Sequence, residues 1–237
     1  MKKGILHRFW RVLRTIIIVF FVGSVSWVIL AAFIPVYVTP LMFIRSVEAM
    51  VDGNAPVNEK TWVPLSEISP NMVQAVVASE DNLFLEHNGF SIDDIFKAVE
   101  HNKKGKRIRG GSTISQQTAK NVFLWPNRSY VRKGLEAYFT VLIELIWSKE
   151  RIMEVYLNIV ETGTGVYGVE AASQKFFNKS AAKLTKSQAA LIAASLPNPR
   201  KFKIDNPSSY MLKRKAKILS VMRNIPKVKF NTEKDKE

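Results

Sequence analysis

The 237 residues contain no cysteine, so the chain has neither a disulfide nor a thiolate metal site. Histidine is scarce, and His7, His87 and His101 share no metal-ligand spacing. Acids are also few: 20 Asp and Glu stand against 35 Lys and Arg, a net charge of +15. That imbalance favours anionic partners such as nucleic acid, anionic lipid headgroups or phosphorylated substrates. Alternating apolar and polar runs are scarce and no internal repeat occurs, which argues against a sheet protein and leaves an α-helical class.

One absence is local. From Thr15 to Ile44 no residue is charged. The densest part, Ile16 through Phe33, is long enough to cross a hydrocarbon core of ~30 Å, and no small-x-small cleavage site follows it. An uncleaved transmembrane helix is expected, with Pro35 and Pro40 disrupting its far end. Lys2, Lys3, Arg8, Arg11 and Arg14 precede the run, which predicts a cytoplasmic N-terminus and an exported remainder. That placement argues against nucleic acid as the partner. The expected divisions are a basic tail at 1–14, an anchor at 15–44, one domain at 45–226 and a charged tail at 227–237.

The exported part reads as a series of capped helices. Ser69 and Pro70 open one with Met72, Val73, Val76 and Val77 as its apolar stripe and Glu80 at its end. Ser91 caps a second, bearing Ile92, Ile95, Phe96 and Val99. Ser129 starts a third, with Leu135, Tyr138, Phe139, Leu142, Ile143 and Ile146 on a broad face. Ser148 opens a fourth, carrying Ile152, Val155, Tyr156 and Ile159. Thr185 and Gln188 form a capping box before an alanine-rich helix that ends ahead of Pro197. Asn206-Pro207 starts the last helix and Pro226 follows its end. The run Gly163 to Gly168 has the spacing of a dinucleotide fingerprint, but a helix precedes it and no acid lies about twenty residues on, so a loop between helices is expected.

Polar groups concentrate between Glu80 and Asn121, where a core-building segment would repeat apolar ones. Glu80 and Asp81 are adjacent acids at a helix C-terminus, where the helix dipole disfavours negative charge and thereby suits a carboxylate that must accept a proton. A basic arm, Lys103 to Arg109, leads into Gly110-Gly111 and a helix beginning near Ser112 or Thr113. Free N–H groups at that helix end bind phosphate well, and Ser112, Thr113, Ser115, Gln116 and Gln117 can add donors, with Lys120 as a cation. Arg132 and Glu136 lie four apart on one helix face. That spacing suits an exposed ion pair worth only ~0.3–0.5 kcal/mol, or a second catalytic carboxylate, and does not choose between them.

Four motifs now stand in order: Glu80-Asp81-x-x-Phe84-x-x-His87-x-Gly89; Gly110-Gly111-Ser112-Thr113-Ile114-Ser115-Gln116-Gln117-x-x-Lys120-Asn121; Arg132-Lys133-x-x-Glu136; and Ser148-Lys149-x-x-Ile152-x-x-x-Tyr156-Leu157-Asn158. Together they resemble the peptidoglycan glycosyltransferase domain family of penicillin-binding proteins, in its stand-alone form with one membrane helix. The acylating serine domain of the longer members is not expected, since Ser180-Ala181-Ala182-Lys183 has no Lys-Thr-Gly to accompany it.

The resemblance implies an all-α, lysozyme-like domain with a small membrane-proximal lobe. It implies polymerisation of lipid II into β-1,4-linked glycan with release of undecaprenyl pyrophosphate. Glu80 would be the general base and Glu136 the second catalytic carboxylate, assisting the donor through a divalent metal or by orienting Arg132. Ser112, Gln116 and Gln117 would hold sugar or phosphate oxygens; Lys120, Arg132 and Arg214 would stabilise the leaving group. Asp81, Phe84, His87, Gly111, Thr113, Asn121 and Lys133 complete the expected substrate-binding set. No tightly bound cofactor is implied, with magnesium or manganese admitted at the donor pyrophosphate. The implied partners are lipid II, the lipid-linked glycan, the membrane and candidate cell-wall synthesis proteins, at a bacterial inner membrane with the catalytic domain in the periplasm. A lytic enzyme using Glu80 as an acid and an anchored scaffold are the rival readings; the phosphate-suited run counts against the first.

Overall fold

The computed structural model describes residues 2–91, 111–127 and 129–230. The expected second helix and the basic arm before Gly110 therefore lie outside the described residues.

The chain divides into two units, residues 1–35 and 36–237. The first is a single helix, α1 (Lys2–Phe33). Within it His7–Phe33 carries an 18-residue window of mean hydropathy 2.7, and Ile16, Val19 and Val22 are exposed. At 1.5 Å per residue such a helix is long enough to cross a bilayer. Neither end of the expected anchor is an element boundary. The basic residues belong to α1 itself, and the helix stops ahead of Pro35. The rest of the apolar run enters α2 (Pro40–Val51), whose N-cap Thr39 accepts a hydrogen bond from the Met42 amide. Proline fits the first turn of a helix because its missing N–H is unpaired there anyway.

In the second unit, serine and threonine caps set the helix starts where expected. Ser69 caps α3 (Pro70–Glu80). Thr113 and Gln116 form a reciprocal box on α4 (Ile114–Phe123). Ser129 caps α5 (Tyr130–Ile146) and Ser148 caps α6 (Lys149–Ile159). α7 (Val169–Phe177) had no expectation, and its N-cap, Gly168, offers no side chain to signal it. Thr185 and Gln188 box α8 (Lys186–Ser195). α9 (Ser209–Asn224) starts two residues later than Asn206-Pro207 suggests, because Ser208 supplies the cap.

The core forms around two helix groups. α8 packs against α3 and α9, which also touch each other, while α4 packs against α5 and α6. Ala189, Ala190, Ile192, Ala193 and Ala194 of α8 are buried, small enough to admit close neighbours. Ile152, Met153, Leu157 and Ile159 of α6 are fully buried, each worth about 1.5–3 kcal/mol of transfer energy. The loop expected around Gly163 is instead part of a small sheet. Strands β2 (Glu161–Gly163) and β3 (Val166–Tyr167) pair antiparallel, and β1 (Glu59–Lys60) joins β3 in parallel. Strands this short carry too few residues to show alternation.

Candidate active site

Glu80 is the last residue of α3 and lies where α3, α4 and α9 converge. Its Oε1 accepts from Ser79 Oγ at 2.8 Å and from Arg214 Nη2 at 3.2 Å. Its Oε2 accepts from Gln117 Nε2 at 3.3 Å. Arg214 also donates to Ser79 Oγ at 3.0 Å. The two charged side chains are largely covered, 13% exposed for Glu80 and 26% for Arg214. Lys120 and Asn121 follow Gln117 by three and four residues, which puts them on the same face of α4. Ser112 is exposed at the start of that helix, beside half-buried Gly111.

Asp81 faces the other way. It is 4% exposed, and its two oxygens meet His87 Nε2 at 2.9 and 3.0 Å. Its Oδ2 also accepts from the Ile114 amide at 3.0 Å. His87 Nδ1 accepts from the Gly89 amide at 3.1 Å, so the tautomer consistent with this network carries its proton on Nε2 and gives it to Asp81. Phe84 is fully buried, edge-on to the His87 ring and 4.7 Å beneath Lys149 Nζ. Thr113 Oγ1 donates to the Gly89 carbonyl at 2.7 Å. Lys149 ties the loop to Glu144 at 2.8 Å and to the His87 carbonyl at 2.6 Å, and Ser115 donates to Glu144 as well. Gly89 has φ +86, and a Cβ there would stand 2.7 Å from Thr140 Cγ2, so glycine is required.

Two of the first-turn amides of α4 expected to cradle an anion have partners within the protein. The Ile114 amide is given to Asp81 and the Gln116 amide to Thr113 Oγ1. The Gln116 side-chain Oε1 accepts from the Thr113 amide. Thr113, Gln116, Asp81 and His87 thus direct these groups at one another. Counting donors along the sequence missed a carboxylate arriving from 33 residues away. Of the polar run, Ser112, Gln117, Lys120 and Asn121 keep surface.

α5 carries a separate ionic cluster. Glu136 Oε2 accepts from Arg132 Nη1 at 2.8 Å, with side chains 4% and 10% exposed, and Oε1 is held by Lys133, which is half exposed. A metal on Glu136 does not fit this arrangement, since both oxygens already face cations. Among the described residues no three His, Cys, Asp or Glu side chains form a metal-holding group.

Tyr156 belongs both to the apolar face of α6 and to the fourth motif. Its hydroxyl donates to Gln117 Oε1 at 3.2 Å, and burial, then Glu80 and Asp81, push its phenol well above the usual range.

A covered carboxylate at a helix end, met by a serine, an amide and an arginine from three helices, makes a polar site on a helical domain. Residues 48–223 match the family described as Transglycosylase, and the chain belongs to that family. It is 57% identical to the biosynthetic peptidoglycan transglycosylase of Bacteroides thetaiotaomicron over 217 residues, 92% of this chain and 88% of that one. The protein of the same name from Bdellovibrio bacteriovorus is 54% identical, covering 95% and 97%. That from Escherichia coli is 52% identical, covering 91% and 89%. The all-α, lysozyme-like class expected from the motifs is the class of this domain.

Proposed function

We propose that this transglycosylase polymerises lipid II into β-1,4-linked glycan strands for the bacterial cell wall, releasing undecaprenyl pyrophosphate. The observation that carries the reading is Glu80, a largely covered carboxylate whose Oε2 accepts, among the described residues, only from Gln117, at 3.3 Å. Glu80 takes the proton from the 4-hydroxyl of the acceptor sugar. The freed oxygen attacks the anomeric carbon of the donor, the bond to the pyrophosphate breaks, and the configuration inverts. The leaving group departs as an anion and needs cations more than it needs a proton. Lys120, Arg132, Lys133 and Arg214 supply them. Glu136 acts by holding Arg132 and Lys133, at 2.8 Å in the first case. Ser112 and Asn121 face the sugar and phosphate oxygens, Gln117 holds Glu80 Oε2, and Asp81, Phe84, His87, Thr113 and Gln116 hold the neighbouring loop together.

The helix α1 would anchor the enzyme beside its lipid-linked substrate. Its basic amino end would remain in the cytoplasm, with the catalytic domain in the periplasm. The test is polymerisation of labelled lipid II by the purified full chain in detergent, beside Glu80→Gln. Polymer from the wild type and none from a folded variant is expected. Cleavage of preformed glycan without polymerisation would overturn the reading in favour of a lytic enzyme. Lipid II binding with neither activity would leave a scaffold.

A further inference from the structure

Tyr156 sits in the last turn of α6 with no exposed surface, yet its hydroxyl is aimed at the site. Gln117 is the intermediary. Its Oε1 accepts from the tyrosine at 3.2 Å, while its Nε2 faces Glu80 Oε2 at 3.3 Å and the Ser112 carbonyl at 3.5 Å. A donor at one end and two acceptors at the other fix the amide. Reversed, it would set its oxygen against a carboxylate and a carbonyl. The phenol, pushed up by burial and then by Glu80 and Asp81, stays a donor at neutral pH. The arm spans two packed helices, α4 and α6, neither of which carries Glu80.

The last torsion of Glu80 is broad for a terminal sp³–sp² bond, and its two oxygens turn together. Ser79 and Arg214 restrain it through Oε1, and Gln117 restrains it from the opposite side through Oε2. A base works only when the receiving oxygen stands within hydrogen-bond reach of the proton.

We infer that Tyr156 is a positioning residue for glycosyl transfer: through Gln117 it fixes where Glu80 Oε2 stands when the acceptor proton arrives. The inference rests on Glu80 as the base. It assigns Tyr156 no contact with substrate, so its loss acts on turnover and spares affinity.

The test uses the full chain in detergent, with lipid II polymerisation followed over a range of substrate concentration for Tyr156→Phe, Gln117→Ala and the double variant. Phenylalanine keeps the buried ring, and thermal melting reports whether each variant is folded. Tyr156→Phe is expected to lower kcat about three- to tenfold with KM unchanged, the scale of one net hydrogen bond. In the Gln117→Ala background the same change is expected to add nothing, because the hydroxyl then has no arm to hold. Multiplying losses in the double variant would overturn the inference, since a merely structural tyrosine acts independently of Gln117. Undiminished kcat in Gln117→Ala would overturn it too, whatever Tyr156→Phe does to folding. Glu80→Gln separates the two levels: if that variant still polymerises, the base itself is wrong. If it is inactive while Gln117→Ala turns over normally, only the arm is wrong.

Discussion

Replacing Glu136 with glutamine tests how far burial changes the worth of an ion pair. On an exposed helix, an Arg–Glu pair at this spacing contributes only ~0.3–0.5 kcal/mol. Here the Arg132 and Glu136 side chains are 10% and 4% exposed and 2.8 Å apart. Taking away one partner leaves a covered guanidinium without its counter-charge, a loss of ~3–5 kcal/mol for buried pairs. Glutamine keeps an oxygen that can accept from Arg132, and Lys133 is half exposed and adds little, so the lower end applies, about 3 kcal/mol. For a domain of this size each kcal/mol moves Tm by ~2–4 °C, which gives a fall of ~6–12 °C. The assay is far-UV circular dichroism of the full chain in detergent at neutral pH, in low and high salt. The fall should persist in high salt, because covered charges are poorly screened. Arg132→Met with Glu136→Leu should recover part of the loss by removing both charges together. A shift under ~2 °C for Glu136→Gln would refute the reasoning and return the pair to the surface class.

Two further expectations concern the fold. Burial lowers Lys60 from 10.5 to about 8. Between those values the folded chain holds fewer protons than the unfolded one, so the contribution of Lys60 to stability rises as pH rises through that window. Lys60→Met should flatten the corresponding part of a Tm-against-pH curve, and an equally steep rise in the variant would count against the assignment. Gly168 has φ +79, and a Cβ there would lie 2.7 Å from the Asn158 carbonyl oxygen. Gly168→Ala should therefore destabilise by about 1–3 kcal/mol or more, read as a lowered denaturation midpoint; an unchanged midpoint would show that the hairpin adapts.

Much of the helical framework was legible because its signals are local. Ser69, Ser129, Ser148 and Thr185 each announce a helix within three residues. α7 escaped because a glycine precedes it, and the sheet escaped because its strands have two or three residues. At the site, the motifs identified which residues to examine but not what each one faces. Asp81 reads as a second acid beside Glu80, yet it turns inward to cap α4. Gln117 and Tyr156 are 39 residues apart, and nothing in either segment points to the other. The Arg132–Glu136 spacing was visible, whereas its burial depends on neighbours that periodicity does not name.

The partners of α3 also set an order of assembly. Glu80 waits for Gln117, 37 residues on, and for Arg214, 134 residues on. Gln74, on the same helix, binds Pro226 and Val228, 152 and 154 residues downstream. During synthesis the carboxylate emerges early and its arginine nearly last. A nascent chain stopped before Ser208 carries all four motifs and still lacks Arg214 and the rest of α9. Such distant pairings close slowly, since the intervening chain must be ordered before they form. Activity is therefore expected only once the final helix has docked and brought Arg214 to Glu80.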